Sequence, residues 1–476
     1  MNDSSTTKVK DDAIEWALMH GMAFKRSPYS ARHAPFTLMP SLISREHYQH
    51  LKNSVHLLGK LIHSISEAHH FFHDAIQPIT ASEPFFAALL NMHQQLHDTQ
   101  PSVQRMPLLI MRSDFMDDRD LGPKLVEFNG IAAGMGPFGQ RVHQLHHYLQ
   151  QWHQLPMGQL VDNHAIAQLS AGIAKATFKI KQEFEDVGPA RFLMIVQQNE
   201  DNVFDQHLLE LALQQQGIQT IRRTFNELQD QLSTGEKHRL ILEGIGTIDT
   251  VYLRAGYQYA DYESVDINGN KNSLALMEIR VLIEKHRVAV NATIGQQLAT
   301  SKRMQMLISS MDERSLTQFG LTLQQAKIVK SLLGEMRPVT PESIQLVEAS
   351  PIDSWVLKNQ GEGGGNCLFG ADISHELAEL EPTQYQAWSL MRRLHPRPRA
   401  TPALVVRNGE IETINDMIPE IGMFTVYIDG EPAMEDSSNS ESPSYAGYLI
   451  RSKSAMVTEG GVHSGQGVLD SLMFSD

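Results

Sequence analysis

The sequence predicts a mixed α/β and α+β fold with three regions, 1–188, 189–292 and 293–476. Apolar residues recur at three- and four-residue spacing through much of residues 11–185, which is typical of amphipathic helices. Strand-like and helix-like runs alternate over residues 190–290, and the rest of the chain mixes both patterns around glycine-rich loops. We therefore expect a helical first region, a parallel α/β second region and an α+β third region.

The first region should be mostly helical. Helical spacing is clearest over residues 46–73, 83–97 and 163–184. Two short apolar runs, PLLIM at 107–111 and KLVEFNG at 124–130, instead predict strands. Because these runs lie between the predicted helices, the first region should supply both helices and strands to the body of the fold.

The second region alternates between the two periodicities. A strand is predicted at 191–196 (RFLMIV), followed by a helix at 204–216 that Gly217 stops. Strands IQTIRR at 218–223 and TVYLRAG at 250–256 come next, before a further helix. Parallel strands need a crossover connection, usually a helix, so this alternation predicts a parallel sheet.

The third region mixes helices with separate strands. Strands are predicted at 354–358 (SWVLK), 403–407 (ALVVR), 423–428 (MFTVYI) and 446–451 (AGYLIR). The polar stretch SSNSESPS at 437–444 should form a loop between the last two strands. This pattern is typical of an α+β arrangement.

Composition favours an enzyme of a reducing compartment. The 476 residues are 41% hydrophobic, which suffices for sizeable cores, but no apolar run approaches the roughly 18 residues of a membrane span. The N-terminus lacks a secretory pattern, and a single cysteine excludes an intramolecular disulfide. The formal charge of −15 argues against nucleic acid as a partner. We expect a cytoplasmic protein that does not bind membranes.

The most informative stretch is SWVLKNQGEGGGNCLFG, residues 354–370. Its apolar run reads as a buried strand that ends at Lys358. Four glycines then follow around one acid: Gly361, Glu362, Gly363, Gly364 and Gly365. Glycine amides approach phosphate oxygens closely, a lysine adds a charge suited to phosphate, and the acid could hold Mg²⁺. We interpret the segment as a phosphate-covering loop; the alternative is a glycine-rich surface hairpin. It is not a Walker A motif.

Two further polar pairs lie on predicted strands. Glu127 and Asn129 are two residues apart in KLVEFNG, so both point to one strand face, where their oxygens could ligate Mg²⁺. Taken alone, the pair could equally be a solvated strand face. Arg451 and Lys453 are paired in the same way in LIRSKS, and a second glycine-rich loop, TEGGVHSGQG, follows them.

Histidine and cysteine offer weaker signals. His69 and His73, and likewise His143 and His147, are four apart on predicted helices, a spacing that can bind zinc. With 22 histidines in the chain such pairs arise by chance, so we interpret them as structural or solvated. Cys367 has no base singled out by its sequence context, and we interpret it as a passive residue.

These motifs together resemble the eukaryotic-type glutathione synthetases, a branch of the ATP-grasp ligases. The resemblance runs from about His33 to Gly467. The matching stretches, in the family's order, are MRSDFM, KLVEFNGIAAG, EDNVFDQ, YLRAGY, QQLATSK, VLKNQGEGGGN, MIPEIGMF and LIRSKSAMVTEGGV. The resemblance implies an ATP-grasp fold, in which residues 1–188 contribute to the body, 189–292 form an inserted substrate-binding domain, and 293–476 carry the glycine-rich lid loops. The family also tends to be homodimeric.

The resemblance implies a reaction as well. ATP phosphorylates the cysteinyl carboxylate of γ-glutamylcysteine, and the amine of glycine attacks the acyl phosphate, giving glutathione, ADP and phosphate. Such chemistry needs metal, cations and exclusion of water rather than a covalent protein nucleophile. The alternatives are a sibling ligase with another acceptor, such as β-alanine or serine, and a catalytically silent nucleotide-binding protein. A zinc hydrolase built on the histidine pairs is a more distant alternative.

Roles carry over by motif. Arg112, Lys358 and Arg451 match catalytic positions, and Glu127, Asn129 and Glu362 match magnesium ligands. Matches to ATP-binding positions are Glu127, Lys302, Lys358, Glu362, Gly363, Gly364, Gly365, Asn366, Cys367, Phe369, Met391, Arg392, Arg393, Leu394, Glu420, Lys453 and Glu459. Matches to substrate-binding positions are Arg112, Ile131, Ala132, Ala133, Gly134, Glu200, Asp201, Asn202, Gln206, Arg254, Ala255, Gly256, Tyr257, Arg451, Val462 and His463.

The chain departs from the family at several of these positions. Ala132 and Gly134 stand where the family commonly has two serines that contact the dipeptide. Restoring both hydroxyls is therefore expected to strengthen dipeptide binding. Arg392 replaces an acid on the adenine side, and Phe369 replaces a tyrosine beside the lid. Lys358 and the three magnesium ligands are retained, which argues against a silent protein.

Overall fold

The protein is built around one large mixed sheet and one small antiparallel sheet, with helices packed on both. The computed structural model describes residues 3–97, 104–185, 187–265, 271–361, 366–434, 442–458, 460–463 and 465–475. Within these ranges, no helix is both long enough and apolar enough to cross a membrane.

The helices lie mostly in the first half of the chain. They are α1 (Asp3–Met19), α2 (Arg45–Ser66), α3 (His69–Ile76), α4 (Pro84–His97), α5 (Gly136–Trp152), α6 (Ala165–Glu183), α7 (Val203–Gln215), α8 (Phe225–Leu228), α9 (Leu274–Glu284), α10 (Ile294–Ala299), α11 (Lys302–Ser310), α12 (Glu313–Leu316), α13 (Leu323–Leu332), α14 (Pro341–Ala349) and α15 (Ala371–Glu379).

Strands occur in all three regions. They are β1 (Ala23–Ser27), β2 (Ser30–His33), β3 (Phe36–Thr37), β4 (Ser41–Ile43), β5 (Met106–Asp118), β6 (Gly122–Asn129), β7 (Ala190–Ile195), β8 (Ile218–Arg223), β9 (Leu232–Thr234), β10 (Leu240–Leu242), β11 (Gly246–Ile248), β12 (Thr250–Leu253), β13 (Ser264–Val265), β14 (Lys271–Asn272), β15 (Ala289–Asn291), β16 (Met336–Pro338), β17 (Trp355–Lys358), β18 (Cys367–Phe369), β19 (Ser389–Arg392), β20 (Ala403–Arg407), β21 (Glu410–Ile414), β22 (Met417–Ile428), β23 (Glu431–Pro432), β24 (Tyr445–Ser454), β25 (Val468–Asp470) and β26 (Leu472–Phe474).

The large sheet has a parallel half and a largely antiparallel half. Its order is β21-β20-β3-β25-β24-β22-β5-β15-β12-β7-β8, with β6 also paired to β5. Strands β15, β12, β7 and β8 pair in parallel, which confirms the parallel α/β pattern predicted for the second region. Strand β5 joins the halves, because its start pairs in parallel with β15 while the rest pairs antiparallel with β22 and β6.

The small sheet has the order β16-β19-β17-β18 and packs one of its faces against α15. Trp355, Leu357 and Leu390 pack with Ile373 and Leu377 of α15 in one buried cluster. Side chains alternate along a strand, so Lys358, one residue beyond Leu357, lies on the opposite face. The small sheet therefore presents its lysine away from its own core.

Several elements differ from the sequence-based expectation; β22, for example, begins at Met417 rather than at residue 423. The helix predicted at 46–73 is two helices, because Ala68 adopts a non-helical ψ of 70° between α2 and α3. Strand β5 extends seven residues beyond the predicted end, since its polar segment RSDFMDD is hydrogen-bonded between β22 and β6. Most of the predicted loop at 437–444 lies outside the described residues.

Candidate active site

Neighbouring strands of the large sheet bring polar residues from distant motifs to one face. The register pairs Arg112 with Asn129 and Asp114 with Glu127 across β5 and β6. Residues paired directly across strands share a face, as do residues two apart along one strand. All four of these side chains therefore lie on one face of the sheet. The sequence predicted three of them as site residues.

Asp114 is the residue that the motif analysis did not single out. It is fully buried, and its carboxylate accepts hydrogen bonds from Arg112 Nε at 2.6 Å and Arg112 Nη2 at 2.8 Å. Asn129 Nδ2 and Arg451 Nη2 each donate to the same carboxylate at 2.9 Å. The motif MRSDFM contains this aspartate two residues after Arg112, a spacing that on a strand would have revealed the pair.

Arg451 adds a further cation from β24. It is paired across the ladder with Glu420 of β22, and its Nη2 donates to the carboxylates of Glu420 and Asp114. Glu127 Oε1 lies 3.9 Å from the same nitrogen. Burial lowers the pKa of Arg451, but these three carboxylates outweigh burial and raise it above its usual value. The guanidinium is thus permanently charged.

Glu127 lies among cations from four separate elements. Burial raises the pKa of its carboxyl group, but the charges of Lys302, Lys358, Arg451 and Arg112 outweigh burial and lower it to about 2. The side chain is nevertheless 25% exposed, so the carboxylate is accessible. A dense set of cations around an accessible carboxylate is suited to binding phosphate oxygens through a metal ion.

The oxygen donors here fit a hard divalent cation. Carboxylate oxygens of Asp114, Glu127 and Glu420 lie within 4.8 Å of one another. Asn129 donates its amide nitrogen to Asp114, which leaves its amide oxygen as a further donor of the type that Mg²⁺ accepts. Of the three predicted magnesium ligands, the structure brings Glu127 and Asn129 together, whereas Glu362 lies outside the described residues.

The three predicted ATP-binding lysines each donate to a main-chain carbonyl. Lys358 Nζ donates to the Val126 carbonyl at 2.9 Å, which links the small sheet to β6. Lys302, the first residue of α11, donates to the Gly361 carbonyl. Lys453 donates to the Thr458 carbonyl at 2.7 Å. Each ammonium group is therefore held in a defined place beside the carboxylates or the loops.

A further set of predicted ATP-binding residues lies on and beside the small sheet. Met391 pairs with Val356 and is buried, and Leu394 packs beside it. Phe369 also pairs with Val356, and the Arg393 guanidinium lies 5.5 Å from the centroid of the Phe369 ring.

Arg392 is directed toward Glu335 instead, and its Nη1 lies 3.6 Å from a carboxylate oxygen of that residue. Cys367 and Asn366 follow the predicted lid, and Cys367 pairs with Lys358.

A second polar group surrounds Arg254. Its Nη1 donates to Asp205 at 2.9 Å, and its Nη2 lies 3.8 Å from Glu200. Gln206 donates to the other Glu200 oxygen at 2.6 Å. Three of these residues were predicted, whereas Asp205 was missed although it lies inside the motif EDNVFDQ. Asp205 Oδ1 and Arg254 Nε are buried without a hydrogen-bond partner among the described residues, so the group has unused bonding capacity.

The loop after β6 runs beside this group. A Cβ atom on Gly134 would lie 2.5 Å from Arg254 Nη2, so glycine there permits the arginine to pack against the backbone. Ala132 has a φ of 51°, in the left-handed region. Ile131 and Ala133 pack into the cores on either side. The departures from the family are therefore built into the local packing.

The remaining predicted substrate residues are spread around the group. Asn202 is buried, and its Oδ1 has no hydrogen-bond partner within the described residues. His463 Nε2 lies 3.1 Å from a carboxylate oxygen of Asp201, while Val462 is buried in a core rather than open to a ligand.

The residues after β12 are held by their own loop. The backbone amides of Gly256 and Tyr257 both donate to the Asp261 carboxylate, and Ala255 is buried. Glu362, Gly363, Gly364, Gly365 and Glu459 lie outside the described residues.

Of the two histidine pairs predicted from helical spacing, only one has its members in contact. His73 is exposed and lies 3.6 Å from Asp74. His69 instead contacts His93 and His97, whose pKa values are lowered to about 3 by burial and by neighbouring cationic groups. His143 and His147 do lie together, with ring centroids 4.8 Å apart.

Comparisons with known proteins agree with the motif analysis. The family model described as eukaryotic glutathione synthase, ATP binding domain, matches residues 3–474. The glutathione synthetase of Homo sapiens is 29% identical, covering 96% of this chain and 94% of its own. That of Macaca fascicularis is 28% identical over 98% and 97%, and the chloroplastic one of Arabidopsis thaliana is 28% identical over 99% and 86%.

One solved structure extends the likeness to the fold. It is the apo form of a glutathione synthetase-like effector from Globodera pallida. It superposes with a TM-score of 0.75 at 17% identity, and the match covers 100% of this chain and 98% of the effector. The two proteins therefore share a fold.

Proposed function

The chain belongs to the eukaryotic glutathione synthase family, and we propose on this premise that it ligates γ-glutamylcysteine to glycine at the expense of ATP. Its products are glutathione, ADP and phosphate. The enzyme is an ATP-dependent carbon–nitrogen ligase of the ATP-grasp type. The relatives match along nearly the whole chain, which supports the same reaction here.

One observation carries the proposal at the level of the site. Glu127 lies in the field of four cations that come from β5, α11, β17 and β24. Phosphoryl transfer involves little covalent chemistry for the protein, so catalysis depends on positioning and on stabilising negative charge. Four converging cations around one accessible carboxylate supply both.

We propose that Glu127, Asn129 and Glu362 hold Mg²⁺. The carboxylate and amide oxygens of the first two residues are the donor types that this ion prefers. When bound, Mg²⁺ would neutralise charge on the phosphate oxygens of ATP. The lysines at 302, 358 and 453 would hold those phosphates, with Glu420 nearer the nucleoside and Glu459 as a further ATP contact. Gly363, Gly364, Gly365 and Asn366 would cover them.

The reaction then proceeds in two steps. The γ-phosphoryl group passes from ATP to the cysteinyl carboxylate of the dipeptide, which gives ADP and an acyl phosphate. The glycine amine attacks the acyl carbon, so a C–N bond forms, the C–O bond to phosphate breaks, and the amine loses its proton. Arg112 and Arg451, fixed by Asp114, hold positive charge where negative charge develops in both steps.

The group around Arg254 is proposed to bind the dipeptide. Arg254 and Gln206 offer donors, and Glu200 offers a carboxylate that suits the ammonium group of the γ-glutamyl residue. The buried, unpartnered Asn202 Oδ1 offers a further acceptor. Ile131, Ala132, Ala133, Asp201, Ala255, Gly256, Tyr257 and His463 would complete the walls of this site, and Val462 would support them from the core.

On the nucleotide side, we propose that the base lies against the small sheet. Met391, Leu394 and Phe369 supply apolar surface there, and Cys367 is a neighbour without a chemical role. Arg392 and Arg393 flank the same strand end. This placement puts the base beside Lys358, which would hold the phosphates.

The test is ADP release by the purified chain with γ-glutamylcysteine and one acceptor at a time: glycine, β-alanine or serine. Turnover is expected to require ATP, Mg²⁺ and glycine, and to be lost in Lys358→Met but kept in Lys327→Met, an exposed lysine of α13. A preference for another acceptor would identify a sibling ligase. The absence of turnover with every acceptor would identify a silent nucleotide-binding protein.

We further propose a homodimer that acts in the cytoplasm on small molecules, without nucleic acid or membrane partners. The family resemblance supports the dimer, and the acidic composition supports the absence of nucleic acid. Light scattering after size-exclusion chromatography would give the mass of two chains. A mass of one chain would refute the dimer but leave the proposed reaction unaffected.

A further inference from the structure

Three histidines from two helices meet in the first region of the chain. His93 and His97 are four residues apart on α4, so they share one helix face, and His69 begins α3 opposite them. The ring centroids of His69 and His97 are 3.5 Å apart and those of His93 and His97 are 4.5 Å apart. Helical spacing alone would have paired His69 with His73, which is exposed.

One pair of ring nitrogens has the separation that a tetrahedral metal ion imposes, and the third ring lies within reach of it. His69 Nδ1 and His93 Nε2 are 3.3 Å apart, and one ligand nitrogen from each of the three rings lies within 4.8 Å of the others. A tetrahedral ion with metal–nitrogen bonds of about 2.0–2.1 Å holds its ligands roughly 3.3 Å apart. His97 Nε2 is buried without a hydrogen-bond partner among the described residues, so this nitrogen is free to ligate.

Two carboxylates compensate the positive charge of the arginine beside the histidine cluster. Arg105 lies near the cluster, but Glu284 at 2.8 Å and Glu67 at 3.1 Å neutralise it. A cavity of about 350 Å³ lined by His69, His97 and Glu67 adjoins the rings and leaves space for a fourth ligand. Phe72 packs edge-on against His93 at 5.1 Å, which gives the site an apolar wall.

We propose that His69, His93 and His97 bind a divalent transition-metal ion of the zinc class, with a water as the fourth ligand. Three imidazoles with one open position form a donor set that Zn²⁺, Co²⁺ and Cu²⁺ prefer over Mg²⁺. Its nitrogen ligands distinguish this site from the oxygen-donor site at Glu127. By joining α3 to α4, the ion stabilises the packing of the first region.

The experiment is a Co²⁺ titration of the full chain without a histidine tag, followed by visible absorption. One equivalent should bind with the intense bands of tetrahedral cobalt, which oxygen-ligated octahedral cobalt does not give. Zn²⁺ should displace it and raise the Tm. His93→Asn should weaken binding by roughly 100-fold or more, because each ligand supplies a large share of the affinity.

Further variants make the test specific. His69→Asn removes a half-buried ligand and serves where His93→Asn does not fold, while His73→Asn is the matched control and should bind like the wild type. The proposal is overturned if the wild type shows no tetrahedral cobalt spectrum at micromolar Co²⁺. It is equally overturned if both ligand variants keep the spectrum, or if only His143→Asn abolishes it, because the metal would then belong to the other histidine cluster.

Discussion

Arg112 and Asp114, two residues apart on β5, are joined by two parallel hydrogen bonds of 2.6 and 2.8 Å. The pair is buried, and Asp114 also accepts hydrogen bonds from Asn129 and Arg451. One carboxylate thus orients two arginines and one proposed metal ligand. Its removal should disturb the whole site as a unit.

Asp114→Asn is expected to destabilise the protein by roughly 3–5 kcal/mol, because it leaves the buried Arg112 and the partly buried Arg451 without their shared carboxylate. Turnover should also fall, by roughly 10²-fold, as Arg112 and Arg451 lose their positions. Urea unfolding and ADP release measure the two effects. Asp117→Asn, which removes a half-exposed partner of His47 on the same strand, should change stability by only about 0–1 kcal/mol. Equal effects of the two variants would contradict this account.

Glu127→Gln should lower kcat by roughly 10²-fold or more, since it removes charge that aligns the transferred phosphoryl group. Glu362→Gln is expected to act in the same direction. ADP release measured across a wide range of Mg²⁺ concentrations separates loss of metal affinity from loss of rate. Near-normal turnover of both variants at saturating Mg²⁺ would refute the ligand assignment.

The stability of the folded protein should depend on Glu127 in a defined pH window. Its pKa is about 2 in the folded state against an ordinary value of 4.5, because four cations outweigh burial. The ionised group therefore stabilises the fold above pH 4.5, and that contribution is lost as the pH falls through 2. The free energies of unfolding of wild type and Glu127→Gln should differ at neutral pH and converge toward pH 2. A constant difference over this range would show that Glu127 keeps an ordinary pKa.

Gly134→Ser is expected to raise the KM for γ-glutamylcysteine by roughly 10-fold, the opposite of what an added hydroxyl contact alone would do. Its Cβ would lie 2.5 Å from Arg254 Nη2, and overpacking of this kind typically costs about 1–3 kcal/mol. Steady-state kinetics at saturating ATP give the KM. Gly158→Ser is the matched control, because the nearest atom to its Cβ is 3.5 Å away. A lowered KM would mean that Arg254 moves aside without loss.

Cys367→Ala should keep most activity, because the thiol has no assigned chemical role. Cys367 is paired across the ladder with Lys358, so a bulky maleimide there should block the nucleotide side and inhibit the wild type. The alanine variant should resist the same reagent. Loss of ADP release in Cys367→Ala with ATP binding intact would instead assign the thiol a chemical role.

Motif order and local periodicity were enough to predict the mixed fold, the parallel strands and most of the residues gathered on the sheet face. The failures occurred where burial depends on pairing. The polar end of β5 does not read as a strand, because Arg112 and Asp114 are buried only through each other. The helix predicted at 46–73 breaks at Ala68, where Glu67 turns toward Arg105. Likewise, helical spacing could not show that His69 meets α4, since that contact depends on the packing of two separate helices.

The lysine contacts to main-chain carbonyls have a consequence for nucleotide affinity. A lysine ammonium group has three N–H donors, so Lys358 can keep its bond to the Val126 carbonyl and still donate to a phosphate oxygen. The Gly361 carbonyl restrains Lys302 in the same way. A long, flexible side chain normally loses rotamer freedom when it engages a ligand, and these two bonds impose part of that loss before ATP arrives. The main-chain carbonyls therefore preorganise the positive charge, and the affinity for ATP depends on the backbone that holds the lysines as well as on the lysines themselves.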